Sequence, residues 1–412
     1  MKIVCVGAGP AGLYFAISAK LRDAGHDITV IERDPPGATY GWGVVYWDDL
    51  LDMLYSNDLE SARQLRAASV LWQEQQVRLP GQPPAYLPGY GFSLSRAALL
   101  DILAMRATDL GVDVQYYREV DDLSAFGDAD LVVGSDGANS RVRARYADHF
   151  GTQVAVGGNP YIWLGTDKVF DSFTFAFEQT PAGWVWFHAY PSSAGISTCI
   201  VECTLGTWRA LGFDAPGSED SVRLLEKIFE QVLDGHSLIS RSRGEPARWL
   251  RFTQVSNQTW RHGNVVLVGD AAHTTHFTLG SGTRLAMIDA TMLAHSLYEH
   301  ENLSAALRDY DQQGHAALRP IQAAARTSMA WFERVDRYID RGAVAFTYAM
   351  SGRHGAQPPW RYQMHLATQV PVLRRTARVF HTGRRWYLAR RRGEAAAIPV
   401  RAAHPASGSL PS

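Results

Sequence analysis

Residues 7–12, Gly7-Ala8-Gly9-Pro10-Ala11-Gly12, constrain this chain more than any other stretch. They follow a short apolar run, Ile3–Val6. They open a run with helical spacing, Leu13–Ala24, that ends at Gly25, a residue suited to a helix stop. A second apolar run, Ile28–Ile31, comes next and is closed by Glu32 and Arg33. This order predicts a compact strand–turn–helix–strand unit. In a G-x-G-x-x-G turn the first glycine permits the tight bend and the second lets a pyrophosphate approach the backbone. The third lets helix and strand pack closely. Pro10 and Ala11 complete the turn, and the amides of the helix N-terminus face the phosphates. Glu32, with Arg33 beside it, falls about 20 residues beyond Gly12, where an acid takes ribose hydroxyls. A Gly-rich turn alone is a weak signal. One bracketed by a strand, a helix and an acid at the end of the next strand predicts a dinucleotide site.

The bulk properties narrow the class. A chain of 412 residues has room for two domains sharing an interface. Its 46% apolar and 20% charged residues are ordinary for a globular protein, and a net charge of −1 gives no general attraction to nucleic acid or to an anionic membrane. No apolar run approaches the roughly 20 residues of a membrane span. Cys5, Cys199 and Cys203 are too few for a disulfide framework, and Met1-Lys2 leads straight into strand residues, so a cytoplasmic location is expected. Cys199 and Cys203 share one face of a strand-like run. No His or further Cys completes a ligand set, so packing is expected of them and no metal site.

Further along, Ala97–Leu110 has helical spacing and stops at Gly111, Val112–Tyr117 reads as a strand, and Leu131–Val133 as a buried parallel one. From Asp171 to Glu202 the texture changes. Phe173–Phe177, Trp184–His188 and Ser197–Val201 alternate and are rich in aromatic and β-branched residues, which predicts an antiparallel sheet with one face over a ligand. Val265–Val268 returns to the parallel type, Gly282–Glu299 is helical, and helix continues to about Tyr387.

Two later turns resemble the first in placement. Gly134-Ser135-Asp136-Gly137-Ala138-Asn139-Ser140 follows one predicted strand, with Arg141 and Arg143 at what reads as a helix start. Gly269-Asp270-Ala271-Ala272-His273 follows another; alone, Asp270 reads equally well as a helix cap. In this order and spacing, the three motifs resemble those of the flavoprotein aromatic hydroxylases typified by p-hydroxybenzoate hydroxylase, over roughly Met1–Glu333. The resemblance implies an α/β fold: a Rossmann-like FAD-binding domain (1–72, 93–152 and 262–330), a substrate domain with a mixed or antiparallel sheet (73–92 and 153–261), and a helical C-terminal region (331–390). A disordered tail (391–412) is expected after it. The resemblance also implies that Asp270 holds the FAD ribityl chain and that Gly280, Ser281, Gly282 and Thr283 offer amides to the flavin ring. Arg96, in an R-x-x-L pattern ending at Leu99, is implied to sit near the phosphates or ribityl, and Asp136 to serve both FAD and the reduced nicotinamide.

There are departures. The family carries prolines after the Gly-Asp turn and then G-Q-G-x-N. Here His276-Phe277 stands in place of the prolines, and Ser281 and Arg284 stand in place of Gln and Asn. These changes resemble a subgroup that includes salicylyl-CoA 5-hydroxylase, the flavin half of anthraniloyl-CoA monooxygenase and the tryptophan hydroxylase of violacein biosynthesis. Gly41–Val45, Asn159–Thr166 and Trp331–Glu333 agree with it. The run 276–283 sides with the CoA-ester hydroxylases.

In such enzymes the cofactor carries the hard step. NAD(P)H reduces FAD, the reduced flavin captures O2 as a C4a-hydroperoxide, and an electron-rich ring attacks the distal oxygen. The protein excludes water and positions the ring, which fits the lack of HExxH, Walker A and Ser-His-Asp patterns. The resemblance therefore implies a small aromatic substrate, free, CoA-bound or carrier-bound. Salicylyl-CoA, hydroxylated at C5, leads; tryptophan or an indole- or anthranilate-type intermediate is the alternative. His276, aligned beside the flavin C4a edge, is the catalytic candidate; its other reading is a loop histidine satisfied by nearby backbone. His188 and Tyr190 lie on the predicted sheet and face either substrate or core. Phe277 and Trp331 are placed in the substrate pocket, with core packing the competing reading for Trp331. A halogenase is disfavoured because Trp184-Val185-Trp186 lacks the following Ile-Pro of the halogenase motif, and a prenyl-carrying escort protein because all three motifs are intact. From Arg361 onward ten arginines stand against Glu394 alone, which reads as a solvated tail or as a docking surface for an acidic or phosphorylated partner.

Overall fold

Two sheets organise the chain. The computed structural model describes residues 1–394 apart from 39–40, 121, 123–125, 216–217, 243–244 and 356. The first sheet has six strands, in the spatial order Arg261–His262, Val265–Leu267, Leu131–Gly134, Lys2–Val6, Asp27–Ile31 and Asp113–Gln115. All pairings are parallel except that of the Arg261–His262 edge. The central strands are short, continuous apolar runs, buried on both faces as parallel strands are. Val6 pairs with Gly134, and Gly134 pairs with Leu267. The three motif loops thus leave neighbouring strands at one level, at the carboxyl ends where open α/β sheets bind ligands. The strand expected over Val112–Tyr117 is shorter, Asp113–Gln115, because the chain turns at Tyr117 with φ of 59°.

The helix Pro10–Arg22 carries proline in its first turn and packs along the helix Gly282–Glu299. A second sheet runs in the order Leu238–Ile239, Gln153–Thr166, Ser197–Cys203, Gly183–Pro191, Phe173–Thr180, Val70–Arg78, Ala85–Ser95 and Gly43–Tyr46, with Trp249–Ser256 also on Gln153–Thr166. It is antiparallel except where Val70–Arg78 meets Phe173–Thr180. Gly43–Tyr46, which the sequence assigns to the nucleotide side, is an edge strand here, paired with Ala85–Ser95. Four residues without alternation carry no signal of the sheet they join. Cys199 and Cys203 lie together in the apolar layer on one face of this sheet, where burial pushes both thiols up.

The basic C-terminal segment is docked onto the second sheet. Its helix Pro371–Arg391 lies along strand Ala85–Ser95. Arg378 pairs with Glu74, and Arg374 lies 3.6 Å over the ring of Tyr86. Arg392, with a side chain only 3% exposed, donates to Asp48 and Asp52 at 3.0 Å and to Glu394 at 2.6 Å. Of the tail expected from 391, the side chains of Arg392 and Glu394 are therefore packed. Arg401 and the stretch 402–412 lie outside the described residues. Among the described residues no helix is long and apolar enough to cross a membrane. Replacing Arg392 by Ala removes the cation that Asp48, Asp52 and Glu394 share; Asp52 keeps Arg391 and Glu394 keeps Arg66, but Asp48 is left with no ion pair among the described residues. The expected loss is about 3 kcal/mol, the scale of breaking one side of a buried ion pair, read as a drop in the midpoint of chemical denaturation.

Candidate active site

A cavity of about 420 Å3 opens where the three motif loops meet the second sheet. That is within the range of about 300–1,000 Å3 usual for small-molecule sites. The nucleotide loop is held by contact with the turn after Gly134. Gly7 has φ of +105°, and a Cβ there would lie 2.6 Å from the Ser135 carbonyl oxygen. A Cβ on Gly12 would lie 2.2 Å from the Gly7 carbonyl oxygen. Gly9 would meet nothing closer than 4.0 Å, and it lines the cavity with Pro10 and Ala11. The division of roles among the three glycines is the one the motif predicts. Glu32 holds the loop from behind, accepting from Ala8 N at 2.8 Å and from Asp34 N at 3.0 Å. Arg33 is exposed, 3.8 Å from Asp34. Neither Glu32 nor Arg33 is in the cavity wall.

Asp270 opens directly onto the cavity and has no hydrogen-bond partner among the described residues. Its depth in the fold pushes its carboxyl above the ordinary range, and Arg96, then His273, oppose that shift. Arg96 begins the helix Arg96–Asp109 and faces the same space. Desolvation lowers its guanidinium pKa while Asp270 and Tyr190 raise it. Gly280 is left-handed at φ of +62°, and a Cβ there would meet Val45 at 2.6 Å. With Ser281, Gly282 and Thr283 it brings the start of the helix Gly282–Glu299 to the cavity wall. The Gly-Asp turn is pinned from that same helix by buried Asp289, which accepts from Gly269 N at 3.0 Å and lies 2.8 Å from His273 Nε2. Arg143 ties the central turn to it, donating to the carbonyls of Ala271 and Ala138.

Asp136 is bonded within the protein and is not in the cavity wall. Its carboxylate accepts from Ser140 Oγ, from Arg141 N at 2.7 Å and from Val142 N at 3.2 Å, capping the short helix Arg141–Arg145. Its neighbours Ser135, Gly137, Ala138 and Asn139 line the cavity in its place. A carboxylate next to the unpaired amides of a helix start is drawn to them.

On the substrate side, His188, Tyr190 and Phe277 line the cavity together with Tyr161, Trp163 and Phe173. Tyr190 donates to Gly43 O at 2.9 Å, and its ring stacks on Phe173. Phe277 packs on Tyr161 and His188. Beneath His188 lies Glu202, a buried carboxylate 3.7 Å from His188 Nε2. It accepts from Asn159 Nδ2 at 2.7 Å and Trp186 Nε1 at 3.2 Å. Sequence reasoning misses Glu202 and Asp289. The signal was an acid inside an otherwise apolar run, Thr198–Cys203 for one and Leu285–Leu293 for the other.

Two expected pocket residues are elsewhere. His276 turns away from the cavity. Its Nδ1 lies 3.0 Å from Thr278 Oγ1, which lies 2.9 Å from Ser328 Oγ, and its ring meets Phe252 edge-on. It staples the loop to the long helix Leu303–Phe332, the bland reading of a loop histidine. Trp331 is core. It stacks on Tyr338 and packs on Phe332 and Phe346, away from the cavity wall.

Residues 91–326 match the model of the FAD binding domain family. The chain belongs to that family. It is a flavin-dependent aromatic monooxygenase with the p-hydroxybenzoate hydroxylase fold. It is 36% identical over 382 residues to the 3-hydroxy-4-methyl-anthranilyl-(aryl-carrier protein) 5-monooxygenase of Streptosporangium sibiricum, covering 90% of this chain and 99% of that one. It is 38% identical over 349 residues to a salicyloyl-CoA 5-hydroxylase of a Streptomyces species, covering 82% of this chain. The chain spans 66% of that relative's length. The crystal structure of 2-methyl-3-hydroxypyridine-5-carboxylic acid oxygenase superposes with a TM-score of 0.64 at 21% identity, covering 86% of this chain and 95% of that one, a likeness of fold.

The cavity fits the family's cofactor. An open glycine cradle, an unpartnered Asp270 and the start of a helix lie along one wall. Replacing Asp270 by Ala is expected to weaken FAD binding by about tenfold or more, the effect of removing a charged hydrogen-bond partner in a buried site, measured as flavin occupancy after gel filtration. His276 gives a different signature. Burial lowers its imidazole to about 4, with Glu202 opposing and His188 adding. The fold therefore favours the neutral ring, and stability is lost as pH falls from 6.5 towards 4. The loss is on the order of 3 kcal/mol. Replacing His276 by Gln should flatten that part of the stability–pH curve; an unchanged curve would place the imidazole in solvent.

Proposed function

We propose that this monooxygenase hydroxylates the ring of an aromatic acyl thioester, salicylyl-CoA at C5 first among them, with NAD(P)H as reductant. The observation that carries this reading is the 38% identity to a salicyloyl-CoA 5-hydroxylase, joined to a cavity whose substrate side is a wall of aromatic rings. When bound, FAD supplies the redox chemistry. The chain's residues do the rest. Gly9, Asp270 and the start of the helix at Gly282 hold the cofactor along one wall. Tyr161, Phe173 and Phe277 seat a flat ring and exclude water. His188 is the imidazole that lines the cavity, with the Glu202 carboxylate 3.7 Å from its Nε2. It is the group placed to hold or take the proton of a ring hydroxyl, which raises electron density in the ring.

A second reading keeps the chemistry and changes the carrier: the acyl group rides on a protein. It is favoured by the relative from Streptosporangium sibiricum, matched over 99% of its length. The test is NAD(P)H oxidation by the FAD-loaded protein with salicylyl-CoA, aminobenzoyl-CoA, the same acyl groups on an aryl carrier protein, the free acids and tryptophan. The thioesters are expected to stimulate oxidation strongly and to yield hydroxylated product. Free salicylate or tryptophan turning over as well as any thioester would sink the thioester reading. A fast oxidase rate that no aromatic alters would sink both readings.

A further inference from the structure

Two peculiarities of the sequence meet in one place. Arg284 stands where the family carries Asn, and the arginine-rich segment begins at Arg361. In the fold, Arg284 and Arg384 line one open groove of about 740 Å3 outside the active-site cavity. The loop 279–281 forms the wall between the two spaces. Leu279 and Ser281 face the groove, and Gly280 and Ser281 face the cavity.

The charges in this groove are unevenly satisfied. Asp48 is paired with Arg392, at 3.0 Å, and accepts from the Tyr90 hydroxyl. Asp49 is paired with Arg284 at 2.6 Å. Arg384 is exposed and makes no ion pair or hydrogen bond among the described residues. Beside it, His381 has a buried Nδ1 without a hydrogen-bond partner, its ring 5.9 Å from that of Tyr90. The acids are thus neutralised and one guanidinium is left over, near an idle ring nitrogen. Trp47, Tyr90, Pro320 and Ile321 supply apolar wall. A cation with spare donors beside apolar wall suits a phosphate ester on a mostly uncharged arm.

We propose that this groove seats the phosphorylated pantetheine arm of the thioester, with Arg384 and His381 on the phosphate and the loop 279–281 marking where the acyl end passes to the cavity. The proposal rests on the thioester reading above and names how such a substrate is held. The shared chemistry is phosphopantetheine, carried either by CoA or by a carrier protein.

The test uses the FAD-loaded enzyme and Arg384→Glu, a change at an exposed residue with no ion pair among the described residues. The variant is expected to raise KM for a phosphate-bearing thioester about tenfold more than for salicylyl-pantetheine, which lacks the phosphate. Salicylyl-CoA and salicylyl-carrier protein are assayed in parallel, and whichever shows the excess identifies the source. Calorimetric titration with CoA alone reads the groove without turnover. Binding to the wild type that weakens in Arg384→Glu and with added salt supports the proposal, even if no thioester is hydroxylated and the thioester reading itself falls. Turnover of thioesters with no excess for the phosphate-bearing ones would overturn the groove and leave that reading standing. A rise in KM for NAD(P)H in place of the thioester would also overturn it.

Discussion

The nucleotide half depends on how closely the backbone of residues 7–12 approaches the turn after Gly134. Ser135 Oγ lies 2.9 Å from the carbonyl oxygens of both Val6 and Gly7, and Ser135 N donates to Val6 O. That contact joins the first motif to the second through two adjacent parallel strands. It also explains why a side chain is excluded at Gly7 and Gly12 and tolerated in space at Gly9. The third motif enters by the same register, since Leu267 pairs with Gly134. Three loops far apart in sequence therefore form one wall because three short apolar strands pair in register.

The wall is then fixed by buried polar groups that bind no ligand. Asp289 takes both Gly269 N and His273, and Arg143 takes the carbonyl of Ala271. A buried carboxylate left without donors costs several kcal/mol, so the Gly-Asp-Ala-Ala-His run is held in one conformation by the helix that follows it. This leaves Asp270, alone in that run, free to face the cavity. The half of the turn that looks chemical in sequence is mostly scaffold, and the free carboxylate is its product.

What the sequence makes legible follows from this. Strand–turn–helix order, glycine spacing and apolar runs are local, and the residues they single out, Gly9, Asp270 and Gly280–Thr283, lie on the cavity wall. Side-chain direction in irregular loops is not local. His276 and Phe277 are neighbours, and which of them faces the cavity is decided by Thr278 and Ser328, a partner on a helix far along the chain. The direction of Asp136 is likewise not legible locally: its carboxylate is taken by the helix start beside it. Glu202 was invisible because one acid in an apolar strand looks like a solvent-facing position until Asn159 and Trp186 are brought to it from other strands.

The arginine-rich C-terminus is the part where composition misleads most. Ten like charges in a segment almost without acids suggest a repelling, solvated tail. Several of them are instead held by acids contributed from distant elements: Glu74 for Arg374 and Arg378, Asp48 and Asp52 for Arg392. Part of the charge that looks unbalanced along the chain is balanced across the fold, and the helix Pro371–Arg391 becomes an outer wall of the substrate side. Within the outer groove Arg284 is paired with Asp49, and Arg384 has no carboxylate partner among the described residues, beside the loop that separates the groove from the flavin cavity.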